Sequence, residues 1–553
     1  MSVLRDKRFW FFMGLGALFF IPFLGGVHLF DWDEVNFAEI SREMILLDEF
    51  LRPHINFEPF WEKPPLYFWL QVVSMKIFGV NEFAARFPNA LCGILTLGIL
   101  FAMGKKLFNA RFGMWWALAY FGSILPHLYF KSGIIDPWFN LFTFGGFYLL
   151  ILFFWKKQKL EGIEINFNKW WLLFLAGFIV GFSILTKGQA SLIVICFALF
   201  VYWVSVRFRW YINVPQFLFF VLAASLVTLA WYGIETAKNG TWFIVEFNKY
   251  QYRLFSTPDA GHQGFPGYHF IVLLIGCFPA SIFALRAIFK FPKSQRAFHN
   301  DFRKWMIILL VCILVLFSIV QSKIVHYSSL AYFPLTYLAA LAIYQWDQKK
   351  IRLSPGMKWG LGAIGGVFVA ATIALPILMQ NPEWLQTKMA DPFAAANLDA
   401  PVHWTGWEII PGVFLLGILI TFFILHKRKS SHSAIVLFGG TAVFVMLTLV
   451  FFIGRIEGYS QRTAINFFKD KAGQDCYVAN YGYKSYAQLF YFDKPPVTNE
   501  QSYDLDWLLK GDIDKPVYII TKIHKADQLD KYALELVESK NGFVMFKRLP
   551  SAR

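Results

Sequence analysis

Apolar runs of about twenty residues, the length that crosses a bilayer core as a helix, recur along most of the chain. They predict spans at 9–29, 87–104, 114–131, 138–155, 170–186, 189–206, 213–234, 268–285, 305–321, 328–346, 358–380, 409–425 and 433–454, about thirteen crossings. The first run follows Arg5, Lys7 and Arg8. No small-residue cleavage site comes after it, so it reads as a retained helix and not as a signal peptide. The segment from Pro64 to Phe78 is shorter and carries Gln71 and Lys76. It predicts a helix lying in the interface, because a crossing there would invert the sidedness of everything downstream. After Gly454 the long apolar runs stop and charged residues become frequent. There CYVAN, VYIIT and FVMFKRL predict short β segments among helical stretches. The predicted fold is an α-helical polytopic membrane protein, residues 1–454 with interfacial helices at about 31–80, followed by a small soluble α/β domain over 455–553.

Composition agrees: 57% of the 553 residues are hydrophobic, 20% aromatic and only 16% charged, far from soluble averages. The formal charge of +16 first suggests nucleic acid, but the basic residues fall after every second predicted span. The clusters are Lys105, Lys106 and Arg111; Lys156, Lys157 and Lys159; Arg207 and Arg209; Arg286 to Lys304; Lys349 to Lys358; and His426 to Lys429. The positive-inside rule places these loops and the N-terminus in the cytoplasm and the C-terminal domain outside, which accounts for the charge without nucleic acid. Four of five cysteines lie in predicted spans and only Cys476 lies beyond them, giving no disulfide framework or zinc spacing. HExxH, GxSxG and Walker-type loops are absent, which removes the usual supports for a soluble hydrolase or a nucleotide-driven pump.

The same sidedness collects the polar groups of the membrane part at one face. FDWDEVNFAEISREM at 30–44 brings Asp31, Asp33, Glu34, Glu39 and Glu43 to the outer surface, with Glu62 and Lys63 in WEKPP close behind. Lys131 and Asp136 of KSGIIDP, Lys187 of LTKG, Arg253 and His262 of the long loop after the seventh span, and Lys323, His326 and Tyr327 of QSKIVHYSS arrive at that face too. Charges beside hydrocarbon pair, line a wet cavity or carry function. Glu39 and Glu43 read as the solvated side of an interfacial helix, Asp31 as a cap, and Glu62-Lys63 as either an ion pair before the Pro-Pro turn or a functional pair. His262 and His326 divide between ligand and structural hydrogen-bonder. Asp33 and Glu34, adjacent and next to membrane-embedded aromatics, are harder to assign to structure alone.

A chamber at the outer leaflet holding both cations and carboxylates suits phosphate chemistry. Lysine, arginine and tyrosine can hold a phosphate, and a carboxylate can take a proton from an attacking hydroxyl or orient a cationic substrate. Nucleotide sugars are not available outside, so the phosphate would be lipid-borne, a leaving group whose charge the cations stabilise. That points to glycosyl transfer from a polyprenyl-phosphate sugar. No nucleotide or obligatory metal is expected, although DWDE offers oxygen ligands for a divalent ion.

DEVNFAEISREM, followed by EKPPLYFW and GVNEFAARFPNAL, resembles the protein-O-mannosyltransferase superfamily, and within it the bacterial lipid A 4-amino-4-deoxy-L-arabinose transferases. The resemblance continues in order through SGIIDP, LTKG, the loop from Arg253 to Gly264, and SKIVHYSSLAYFP, covering the membrane part. It implies a GT-C fold, a lipid-linked sugar donor and a periplasmic active site in the bacterial inner membrane. Carried over residue by residue, it gives Asp33, Glu34, Glu62 and Asp136 as catalytic candidates, with Asp33 at the acceptor. Lys63, Lys187, Arg253 and Tyr327 become donor-phosphate candidates, and His262, Lys323 and His326 further substrate-binding candidates. The implied donor is undecaprenyl phosphate bearing a monosaccharide, and the implied acceptor is lipid A or another envelope glycan or protein. Asn36, Phe37 and Phe60 stand where the aminoarabinose transferases commonly have Arg, Tyr and Tyr. An amino sugar would want Asp33, Glu34 or Glu62 near its amine.

A transporter or flippase of a lipid-linked sugar would spread its charges toward the midplane, often on broken helices. A non-catalytic envelope assembly or sensor protein would make the C-terminal domain the important part. Charges gathered at one face, in five separate loops, favour transfer.

Overall fold

The computed structural model describes residues 3–257, 264–289, 292, 294–427 and 430–550. Arg428 and Lys429 of the last basic cluster lie outside them. The apolar runs are helical, and several of the helices start where side chains cap them. Asn81, Asn109, Asn168, Asn213 and Ser354 each accept a backbone N–H of the first turn of a helix. Lys105 and Lys106 close Glu82–Leu107, and Lys156 and Lys157 close Asp136–Gln158. Cations at a helix C-terminus complement the dipole, so these residues serve the helix end as well as the sidedness.

Among the described residues, eight helices are long and apolar enough to cross a bilayer: Glu82–Leu107, Asp136–Gln158, Lys169–Lys187, Val214–Asn239, Ala297–Ile319, Pro355–Leu378, Trp407–Leu425 and Ser431–Ser460. A ninth arises if Tyr268–Gly276 and Ala280–Phe289, bent by 116°, form one span. The other runs make shorter helices. Lys7–Phe20 stops before Pro22, and the run at 114–131 divides into Ala110–Phe121, Ile124–Leu128 and a 3₁₀ turn ending at Lys131. Lys131 is spent on that first stop: its ammonium donates to the carbonyls of Phe19 (2.9 Å) and Pro22 (2.6 Å), closing the end of the first helix. Tyr332–Asp347 runs through the middle of the bundle with nearly every side chain buried.

Four helices position the site. We label Asp33–Leu46 α1, Asp136–Gln158 α2, Ala190–Ser205 α3 and Trp242–Ser256 α4. Leu66–Phe78 forms the short apolar helix that the sequence predicts. A small antiparallel hairpin, His54–Ile55 with Glu58–Pro59, joins α1 to it.

Beyond the last long helix stands a four-stranded sheet of Tyr477–Tyr481 (β1), Val517–Lys522 (β2), Glu535–Lys540 (β3) and Phe543–Arg548 (β4), in the order β1-β2-β4-β3. β1 and β2 are parallel and the other pairs antiparallel. β3 has every residue exposed, so no apolar run marks it in the sequence. Alternation divides the sheet's faces. Val517, Ile519, Val544 and Phe546 pack on Leu508 and Leu509, whereas Ile520, Phe543 and Met545 join Phe467 and Phe468. The second cluster takes in Val35 and Ala38 of α1, Met75 of Leu66–Phe78, and Ala84 and Ala85 of Glu82–Leu107, so the sheet sits on α1 and the starts of those helices.

That packing corrects one expectation. α1 does not present a solvated face: Glu34 through Met44 are all buried. Glu39 pairs with Arg42 (2.7 Å), and Arg42 reaches over to Asp493 (2.8 Å) and the carbonyl of Lys494 (2.9 Å). Glu43 accepts the backbone N–H of Phe57 at 2.8 Å. Burial, with the neighbouring Glu39 carboxylate adding to it, pushes Glu43 from 4.5 up to about 9.

Candidate functional site

Asp33, Glu62, Lys63, Asp136, Lys187, Arg253, His326 and Tyr327 converge on a chamber of about 1020 Å³. Its floor is set by the start of α2. The amide of Asn89 donates to the carbonyls of Ser132 and Ile134, at 2.6 Å each, and so fixes the loop that delivers Asp136. Asp136 opens α2 with Pro137 behind it, a placement that suits an anion. It is 2% exposed and takes the Lys187 ammonium at 2.6 Å. Lys187 ends its own helix at Gly188, whose φ of +75° and ψ of −154° are a conformation essentially reserved for glycine. A Cβ at Gly188 would run into the Phe247 ring of α4.

His326 stands between two carboxylates. Its Nε2 lies 3.6 Å from Asp33 and 3.9 Å from the outer oxygen of Asp136, an oxygen with no hydrogen-bond partner. Burial holds the imidazole below the ordinary histidine value, Lys187 and Lys63 pulling the same way while Asp136 and Asp33 oppose them. Asp33, at the first turn of α1, has a side chain 39% exposed to the chamber.

The opposite wall is cationic and aromatic. Lys63 donates to the Tyr250 hydroxyl at 3.2 Å and lies 4.6 Å from that ring's centre, and the Arg253 guanidinium lies 5.2 Å from it. Tyr250 and Arg253 sit three apart on one face of α4. Phe243 and Phe247 anchor that helix against Leu185 and Trp231. Lys187 reaches over the Tyr327 ring at 5.1 Å, so Tyr327 joins the two cationic groups, and Glu62 lines the chamber beside Lys63.

Glu34 and Lys323 are placed otherwise. Both Glu34 oxygens are engaged: Arg86 grips them at 3.0 and 2.7 Å, and the N–H groups of Phe30 and Gly133 donate at 3.0 and 2.6 Å. Burial opposes ionisation there, yet Arg86 and these donors hold Glu34 below its usual value. Arg86 also donates to the carbonyls of Leu24, Val27 and His28, so the pair ties the chain after the first helix to the chamber rim. Lys323 donates to the carbonyls of Phe317 (2.8 Å) and Ser318 (2.9 Å), capping Ala297–Ile319, and does not line the chamber. His262 lies outside the described residues.

Asp31 bonds the Ser485 hydroxyl and accepts the Tyr486 N–H at 3.3 Å. With Asp31 and Glu34 so committed, DWDE does not gather its oxygens, and among the described residues no group of three His, Cys, Asp or Glu is placed to hold a metal ion. The lining groups that sequence reasoning missed include Tyr250, Arg86, Lys484 and Tyr486. Helical spacing from Arg253 would have found Tyr250. Nothing local marks Lys484 and Tyr486, which the C-terminal domain brings to the rim, the Lys484 carbonyl accepting the Trp32 indole at 3.2 Å.

One flank of the chamber is apolar, with Ile193, Leu316, Phe317, Met446, Leu449 and Val450 leading away from the charges. The arrangement can therefore hold a phosphate between Lys63, Arg253 and Tyr327, keep its hydrocarbon tail along that flank, and present Asp33 to a second molecule.

Residues 62–232 match the family described as dolichyl-phosphate-mannose-protein mannosyltransferase. The chain is 26% identical over 333 residues to the undecaprenyl phosphate-alpha-4-amino-4-deoxy-L-arabinose arabinosyl transferase of Edwardsiella ictaluri, 60% of this chain and 58% of that relative. It is 24% identical over 395 residues to the protein of the same description from Photorhabdus laumondii, 68% of each. Among solved structures it superimposes on ArnT from Cupriavidus metallidurans bound to undecaprenyl phosphate with a TM-score of 0.74, at 18% identity and over 99% of both chains.

Proposed function

We propose that this chain, a multi-pass membrane protein of the GT-C type related to the arabinosyl transferases, moves a monosaccharide from undecaprenyl phosphate to an envelope acceptor. The observation that carries the reading is the chamber itself, in which cations and carboxylates face each other beside an apolar flank at one end of the bundle. A flippase would need charges along the bilayer depth. The sugar is 4-amino-4-deoxy-L-arabinose, which the relatives' descriptions name, and the acceptor is lipid A, as the sequence resemblance implies. About thirteen crossings, a cytoplasmic N-terminus and periplasmic placement of residues 455–553 belong to the same proposal, supported by the basic loops.

In the transfer, an acceptor oxygen attacks the sugar's anomeric carbon while the bond from that carbon to the phosphate oxygen breaks. Lys63 and Arg253 take up the charge that develops on the leaving phosphate, with Tyr327 donating to it. Asp33 faces the acceptor. If the acceptor is a hydroxyl, Asp33 accepts its proton; if it is a phosphate, already anionic, Asp33 orients it. Asp136 fixes Lys187 and faces His326, which stands next to Asp33 as a route for the proton. Glu62, beside the phosphate cations, is the carboxylate placed to meet the sugar's amine. Glu34, saturated by Arg86, positions the start of α1 and touches no substrate.

The test is reconstitution of the purified protein with undecaprenyl phosphate bearing labelled aminoarabinose and with lipid A. Label in lipid A, with release of undecaprenyl phosphate, is expected. Label that crosses the bilayer still attached to its lipid would overturn the reading in favour of transport.

A further inference from the structure

A second cavity, of about 580 Å³, lies at the far end of the helices that build the chamber. α2 lines the chamber at Asp136 and Phe139 and the second cavity at Gln158; α3 lines them at Ile193 and at Tyr202 and Ser205. Gln158 follows Phe139 by nineteen helical steps, roughly 28 Å of rise, close to the thickness of a hydrocarbon core. The second cavity therefore opens at the other membrane surface.

Its chemistry is one-sided. Arg207 and Arg209 line it and are exposed, no carboxylate does, and among the described residues neither arginine has an ion-pair partner. Lys304 comes in beside them, its ammonium 5.1 Å from the Tyr202 ring centre and 3.3 Å from the Ser205 carbonyl. The nearby carboxylate, Asp301, accepts from the Trp155 indole (2.7 Å) and the Tyr202 hydroxyl (2.8 Å) and, among the described residues, forms no ion pair with either arginine. Around the mouth, Phe208 and Trp210 are exposed, Trp210 by 72%, as aromatic side chains are where a protein meets lipid headgroups.

Two guanidiniums on a polar cavity at headgroup depth, with aromatic anchors beside them, are matched by a phosphodiester with attached acyl chains. We propose that this cavity binds the headgroup of an anionic phospholipid, with Arg207 and Arg209 holding its phosphate. Basic pockets between spans at the cytoplasmic side bind such lipids in general, and a planar, weakly hydrated guanidinium suits the bidentate contact. The inference needs the helices to span the membrane and is independent of sugar transfer, because its readout is lipid retention.

The experiment is native mass spectrometry of the intact protein after exchange into detergent containing phosphatidylglycerol and phosphatidylcholine in equal amounts. The wild type should keep phosphatidylglycerol selectively. The double variant Arg207→Gln/Arg209→Gln should keep it about tenfold less well. Lys349→Gln/Lys350→Gln, which removes two exposed charges elsewhere in the basic loops, should behave as wild type. Equal retention of the two lipids, undiminished retention in the arginine variant, or equal loss in the lysine variant would overturn the site. So would retention of inorganic phosphate, added at millimolar concentration, in place of lipid, since that marks a soluble-anion pocket.

Discussion

Asp33 and Glu34 are neighbours in the sequence with opposite surroundings: one side chain faces the chamber, and the other is closed in by Arg86 and two backbone donors. Sequence could place both at the outer surface. It could not separate them, because Arg86 lies on another helix and nothing local advertises the pair. Asp33→Asn keeps size and loses charge, so the protein should fold and transfer should fall by ~10²–10⁴-fold, less if the acceptor is a phosphate; steady-state assays with undecaprenyl-linked sugar check this. Glu43 behaves differently from its reading as a solvated charge. Its folded-state value, raised from 4.5 to about 9, means that the folded form binds the extra proton across that window. Its contribution to stability is therefore present at low pH and declines as pH rises toward 9. Glu43→Gln imitates the protonated form, and thermal unfolding of this variant should lose the decline that wild type shows as pH rises from 4.5 to about 9. Glu39→Gln, in contrast, strips Arg42 of a buried charged partner and should cost about 3–5 kcal/mol, visible as a lower unfolding temperature at neutral pH.

Among the elements, the long helices were legible because the length of an apolar run is a direct record of bilayer thickness. The short helix at Leu66–Phe78 was legible from the same measure falling short. β3 was not, since an edge strand with both faces in water carries no alternation. The turn after Lys187 shows what a short element contributes. Gly188 lets its helix end where Lys187 meets both Asp136 and the Tyr327 ring, with Phe247 packed over the glycine. Gly188→Ala adds backbone strain of about 1–3 kcal/mol and pushes α4, with Tyr250 and Arg253, away from Lys63. Undecaprenyl phosphate should then bind several-fold more weakly, which equilibrium binding of the labelled lipid to detergent-solubilised protein measures, while Gly366→Ala, in open space, should not alter it.

For the whole molecule, the alternation of basic loops predicts which parts meet which compartment. A cysteine introduced at Asn248, near the chamber, should react with a membrane-impermeant thiol reagent in intact cells, and one at Lys157, at the other end of α2, should react only after lysis. The reverse pattern would turn the protein over and place the chamber in the cytoplasm. Convergence of the polar loops was legible from this bookkeeping alone. The part played by the C-terminal domain was not, because its contacts with α1 join residues more than four hundred positions apart, such as Arg42 with Asp493.

That separation has a consequence in time. Ribosomes make α1 among the first residues and the sheet that covers it among the last. Until the sheet of residues 477–548 has been made and has docked, Glu39, Arg42 and Glu43 have no roof and must stay hydrated at the surface. Side chains that are costly to bury in the finished protein thus keep the uncovered helix from sinking into the lipid, and the chamber rim closes only when the sheet has docked.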